Sequence, residues 1–76
     1  MQLAEFVAKF AEQFEETDAS EIQASTDFKD LDEWSSLISL SIIAMVDEEY
    51  DVSLKGNDIL AANTVEDLFN IVRSRV

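Results

Sequence analysis

Two adjacent serines, Ser35 and Ser36, are the residues of this chain best placed to do chemistry. They close the acidic stretch Asp32-Glu33-Trp34-Ser35-Ser36-Leu37, just ahead of an apolar run from Ile38 to Val46. That pattern sets a hydroxyl at the N-terminus of a helix, where free backbone N–H groups and the helix dipole favour negative charge. One use for such a hydroxyl is capping, in which the serine oxygen accepts a first-turn N–H and stabilises the helix by ~1 kcal/mol. The other is to carry a phosphate-linked group, whose charge the same helix end welcomes. Because the serines are neighbours, one can cap while the other stays free. Spacing alone leaves both readings open.

Chemistry by the chain's own side chains is poorly supplied. The 76 residues include no histidine and no cysteine, which removes the usual general base, nucleophile activator and zinc ligand together. Absence of cysteine also excludes disulfides and suits a reducing compartment. No calcium loop of the Asp-x-Asp-x-Asn-Gly type is present, so no metal site is expected. The chain reads as a non-enzyme.

Seventeen acidic residues against five basic ones give a net charge of −12. Such a balance argues against nucleic acid and against anionic membrane surfaces, both of which need Lys and Arg. It favours basic protein partners, drawn in by long-range attraction that salt screens. The start Met1-Gln2-Leu3-Ala4-Glu5 lacks the basic, apolar pattern of a signal peptide, and the protein reads as soluble and cytoplasmic. A domain of this size buries only about 60 % of the surface its unfolded chain exposes, so modest stability is expected.

Helices must position the serines, because strand-like alternation is sustained nowhere. Leu3, Phe6, Val7, Phe10 and Phe14 recur at helical spacing and predict a first amphipathic helix from about Leu3 to Phe14. From Glu21 to Ser35 the periodicity is poor. A long ordered loop is expected there, pinned by Ile22, Phe28, Leu31 and Trp34. The second helix should run from Ser36 to Tyr50, apolar over more than one stripe, with Asp47-Glu48-Glu49 against the dipole at its end. A turn follows over Asp51 to Gly56, with Val52 and Leu54 facing inward. A brief helix is expected over Asn57 to Ala62. Thr64 and Asp67 form a capping box for a last helix, which puts Val65, Leu68, Phe69, Val72 and Val76 on its core face. The expected fold is all-α over a single domain, residues 1–76: a small four-helix bundle, three helices longer and one short, with a long loop between the first two.

The segment Phe28-Lys29-Asp30-Leu31-Asp32-Glu33-Trp34-Ser35-Ser36-Leu37, continuing to Met45-Val46-Asp47-Glu48-Glu49-Tyr50, resembles the core of acyl carrier proteins. In that family an acidic loop ends in Asp-Ser-Leu, and the serine receives 4′-phosphopantetheine from coenzyme A. Thr64-Val65-Glu66-Asp67-Leu68 is similar to the family's opening of the last helix, so the likeness covers nearly the whole chain. It implies that Ser36, followed by Leu37, is the attachment serine. It further implies a carrier of acyl groups as thioesters, served by a phosphopantetheinyl transferase and by acyl-loading, condensing and transferring enzymes with basic docking patches. Those partners would meet Asp32, Glu33, Leu37, Ile38, Asp47, Glu48 and Glu49. An acyl chain would shelter among Ile42, Met45, Val46, Ile59 and Leu60. Such a carrier is expected to work as a monomer, in fatty-acid, lipid, polyketide or other secondary-metabolite synthesis.

Three departures from the family pattern point to a specialised member with dedicated enzymes. Ser35 stands where Asp is usual, Ile38 and Ser41 where fatty-acid carriers have carboxylates, and Trp34 where a small residue is common. Two other readings stay open: an unmodified acidic helical adaptor, with Ser36 an ordinary cap and Trp34 a docking anchor, and a carrier of aminoacyl or peptidyl groups.

Overall fold

A computed structural model describes residues 1–76 and contains four α-helices: α1 Leu3–Ala11, α2 Ser36–Tyr50, α3 Gly56–Ala61 and α4 Val65–Arg73. Two 3₁₀ turns, Ala19–Glu21 and Phe28–Asp30, interrupt the long α1–α2 connection. There are no strands, only an isolated antiparallel bridge between Asp27 and Thr64. The all-α bundle with three longer helices and one short one is therefore as the sequence predicts.

Apolar spacing on α1 explains why that helix lies where it does. Phe6 and Phe10, a turn apart, are wholly buried, and α1 packs against both α2 and α4. Phe6 meets Phe69 of α4 edge-on at 5.7 Å and Tyr50 of α2 at 5.9 Å. Phe10 meets Phe28 of the loop at 5.3 Å, and Phe28 meets Trp34 at 4.9 Å. Each such pair contributes ~0.5–1.5 kcal/mol beyond simple burial. A row of aromatic rings thus runs from α4 through α1 to Trp34, the residue just before the two serines.

The long loop is ordered because other elements use its backbone. Thr26 and Ala24 accept the N–H groups of Val65 and Glu66 at 3.2 and 2.9 Å, satisfying part of the first turn of α4. The capping box is present as expected: Thr64 Oγ1 accepts from Asp67 N at 3.1 Å, while Asp67 Oδ2 accepts from Thr64 N at 3.0 Å. The same carboxylate takes Asn63 N at 3.0 Å, and the donated N–H groups of Thr64 and Asn63 hold Asp67 below the usual carboxylate range.

Three boundaries differ from the sequence reading. α1 stops at Ala11, because Gln13 and Phe14 donate to Phe10 and Ala11 at 3.1 Å, three residues back, and the chain tightens into a 3₁₀ turn. Phe14 stays buried all the same. α3 begins at Gly56, where Asp58 Oδ2 accepts Lys55 N at 2.8 Å, and ends at Ala61. α4 ends at Arg73, so Val76 lies beyond the helix and is 72 % exposed rather than on a core face. α2 runs from Ser36 to Tyr50 as expected and ends at Asp51, whose φ of 57° is left-handed. Aspartate tolerates that conformation better than most side chains.

Candidate functional site

Ser35 and Ser36 divide the work at the start of α2. Ser35 is extended (φ −158°, ψ 173°), and its Oγ accepts the N–H of Ile38 at 3.3 Å. Its carbonyl takes the N–H of Ser39 at 3.0 Å. Ser35 is therefore the cap. Ser36 is the first helical residue; it is exposed and its hydroxyl bonds to no protein group. The N–H groups of Ser36 and Leu37 lack internal partners, as first-turn amides do. A free hydroxyl beside two free donors at a helix N-terminus suits an anionic substituent.

The approach to α2 is fixed from two sides. Trp34 packs its ring on Phe28, and its backbone N–H donates to Leu31 O at 3.0 Å. Glu33 reaches back to the segment that follows α1, where its carboxylate accepts from the amides of Glu15, Glu16 and Thr17 at 2.8, 3.1 and 2.8 Å. The Thr17 hydroxyl donates to it as well, at 2.7 Å. That hydroxyl first, and the three amides with it, hold Glu33 below the usual carboxylate range against a partial cost of desolvation.

Beside Ser36 lies a surface cleft of about 410 Å³ between α2, α3 and the loop, walled by Lys29, Trp34, Ser36, Ser39, Ile59 and Leu60. Lys29 Nζ donates to the carbonyls of Leu60 at 3.1 Å and Ile59 at 3.4 Å, joining the loop to the C-terminal end of α3. A cation suits that end of a helix.

The remaining residues singled out in the sequence fall into separate groups. Leu37 is 75 % exposed and Ile38 half-buried, next to Ser36 along α2. Asp47 and Glu48 are exposed at the far end of the helix, and Asp32 is exposed in the loop. Glu49 pairs with Lys9 of α1 at 2.9 Å, and Lys9 also holds Glu5 at 3.0 Å. Those two carboxylates, Glu49 foremost, raise Lys9 above its ordinary value. Ile42 and Val46 are wholly buried, Met45 and Ile59 nearly so. Leu60, grouped with them in the sequence, is instead 71 % exposed on the rim of the Ser36 cleft.

Sequence reasoning did not single out Lys29 or Leu40. Leu40 is 62 % exposed and lies one turn beyond Leu37, extending an apolar strip along α2. The near-continuous apolar character of α2 was its signal. Lys29 gave none, because its partners are backbone carbonyls thirty residues on.

The sequence of the phosphopantetheine attachment-site family matches this chain over residues 4–72, and the chain belongs to that family. No curated protein and no solved structure matches it. The family is the site of covalent 4′-phosphopantetheine attachment, which makes this chain a phosphopantetheine carrier. The residues fit that group: a free serine hydroxyl, two free amides and one ammonium without a carboxylate partner surround a cleft open to solvent. No helix is long and apolar enough to cross a membrane.

Proposed function

We propose that the protein is an acyl carrier protein in which Ser36 bears the 4′-phosphopantetheine arm. The observation that carries this reading is the division between the serines: Ser35 is used up as the cap, and Ser36 is exposed and unbonded. Attachment forms a phosphodiester at Ser36 Oγ as the pyrophosphate of coenzyme A is cleaved, and adenosine 3′,5′-bisphosphate leaves. The serine proton passes to a base on the transferase, since no histidine is available here. When bound, the arm supplies the thiol that a cysteine-free chain lacks, and cargo rides on it as a thioester. The chain itself contributes position and recognition.

Partners meet α2, along Leu37, Ile38 and Leu40 at one end and Asp47 and Glu48 at the other. An apolar strip running into free carboxylates supports docking on a surface that is apolar near its centre and basic at its edge. It also supports dedicated enzymes over general fatty-acid ones, because carboxylates are missing where those enzymes would find them.

The test is an intact-mass spectrum after incubation with coenzyme A, magnesium and a broad-specificity phosphopantetheinyl transferase. A gain of one phosphopantetheine mapped to Ser36, absent in Ser36→Ala, supports the reading. No gain in a folded, helical sample makes the unmodified acidic adaptor the better one.

A further inference from the structure

The cleft beside Ser36 has an electrostatic character unlike the rest of the molecule. In a chain of net charge −12, Lys29 is the single charged side chain on its wall, and no carboxylate faces it. The other cations are placed elsewhere. Lys9 is held by Glu5 and Glu49, and Arg75 by Asp58 at 2.6 Å. Lys29 forms no carboxylate pair. An ammonium has three N–H donors; two of those of Lys29 go to the carbonyls of Ile59 and Leu60, which leaves one. The other walls are apolar at Trp34 and Leu60, and the volume of about 410 Å³ lies within the range of small-molecule sites.

We infer that this cleft is a resting place for the prosthetic arm itself, with Lys29 pairing to its phosphodiester and Trp34 and Leu60 flanking its branched, apolar pantoyl part. The inference rests on attachment at Ser36. A monoanion fixed to Ser36 meets one cation at the cleft wall and free amides at the helix start. The methyl groups next to that phosphate meet the indole and Leu60. The arm thus lies along the outside of the α2–α3 junction between visits to partner enzymes, and the buried residues behind it need not move.

Trp34 is the sole tryptophan, so its emission reports on this cleft directly. The full chain is loaded by a transferase, and its mass verified, before acrylamide quenching of Trp34 is compared between unloaded and loaded forms. Quenching should fall on loading. In Lys29→Gln that difference should shrink by up to about fivefold, the upper end for an exposed charge pair, and Lys29→Arg should restore it. A purely structural role for Lys29 would alter the unloaded protein and leave the loading difference intact. If Lys29→Gln does not fold, the wild-type loaded form serves: added salt should return its quenching towards the unloaded value. Equal quenching of verified loaded and unloaded protein overturns the inference alone. So does a difference that neither salt nor Lys29→Gln reduces. A chain that gains no mass at Ser36 overturns the attachment as well.

Discussion

Glu33 holds Thr17 twice, through the amide at 2.8 Å and the hydroxyl at 2.7 Å, and so ties the segment after α1 to a point three residues before Ser36. With the amides of Glu15 and Glu16 on the same carboxylate, three successive backbone donors converge on one side chain. Donors so arranged form a nest that selects an anion. The acid of the loop is therefore a strut for the site and only in part a surface charge.

Replacing Glu33 by Gln turns an amide NH₂ towards those donors and should lower the melting temperature by several degrees at neutral pH. The sign with pH follows from the depressed value. Stability contributed by Glu33 is fully present above its unfolded value of 4.5 and is lost as pH falls through the lower folded one. Melting curves of wild type and Glu33→Gln should therefore converge below pH 4.5. A constant gap at all pH values would mean that the carboxylate charge is not what the three amides need.

Asp58 and Arg75 give a second acid limb. Arg75 first, then the Lys55 amide, hold Asp58 down to about 2 from 3.8. Since the folded value is the lower, this contribution is present above pH 3.8 and disappears towards pH 2. Asp58→Asn should flatten that part of the profile and free the C-terminal turn. The pair is partly exposed, so salt should weaken its effect. Amide exchange at Ser74 and Arg75 would report the release.

Much of this was legible in the sequence, and the exceptions share a cause. Apolar spacing specified α1 and α4, Thr64 and Asp67 specified a cap, and the serines marked the start of α2, because each signal is local. The ties that shape the site are not. Glu33 to residues 15–17, Lys29 to α3 and Glu49 to Lys9 each join a charged side chain to a distant element. Spacing holds no record of such pairs, so Glu33 and Glu49 read only as surface acids. The exposure of Leu60 was illegible for a related reason: on a helix of six residues, periodicity cannot say which face turns inward.

The serines should separate cleanly. Ser36→Ala should abolish labelling by a phosphopantetheinyl transferase while leaving the melting temperature nearly unchanged, since its hydroxyl bonds to nothing in the protein. Ser35→Ala should keep most of the label and lose the cap, at a cost of ~1 kcal/mol. Mass spectra and thermal melts on the same two variants settle both halves. The reverse pattern would move the site to Ser35.

Neighbouring acids at the end of α2 should behave differently under substitution. Glu48 is exposed and unpaired, so Glu48→Lys should slow association with basic partners, most at low salt, and leave stability nearly unchanged. Glu49 anchors Lys9, whose ammonium also lies 5.1 Å from the Tyr50 ring centroid. Glu49→Gln should therefore lower the melting temperature more than Glu48→Lys does. Stopped-flow association with the transferase at two salt concentrations, beside thermal melts, tests the contrast. Equal effects on both readouts would show that the Lys9 tie contributes nothing.

A long acyl cargo poses a packing question that stability can answer. Ile42 and Val46 are wholly buried and line no surface cleft, so a chain sheltered among them must displace side chains from a filled core. Dense packing makes that costly unless the new contacts replace the old ones. Met45, nearly buried and unbranched, is the side chain best able to yield. A long-chain thioester form should then melt above the free-thiol form, because burying the chain favours the folded state. Ile42→Val supplies the internal control. It costs ~0.5–1.5 kcal/mol by removing a buried methylene, and it should cost less in the acylated form, where the cargo refills the space. Equal melting temperatures for the two forms would mean that the chain stays outside the bundle. A higher temperature with an unchanged Ile42→Val penalty would place the chain somewhere other than beside Ile42.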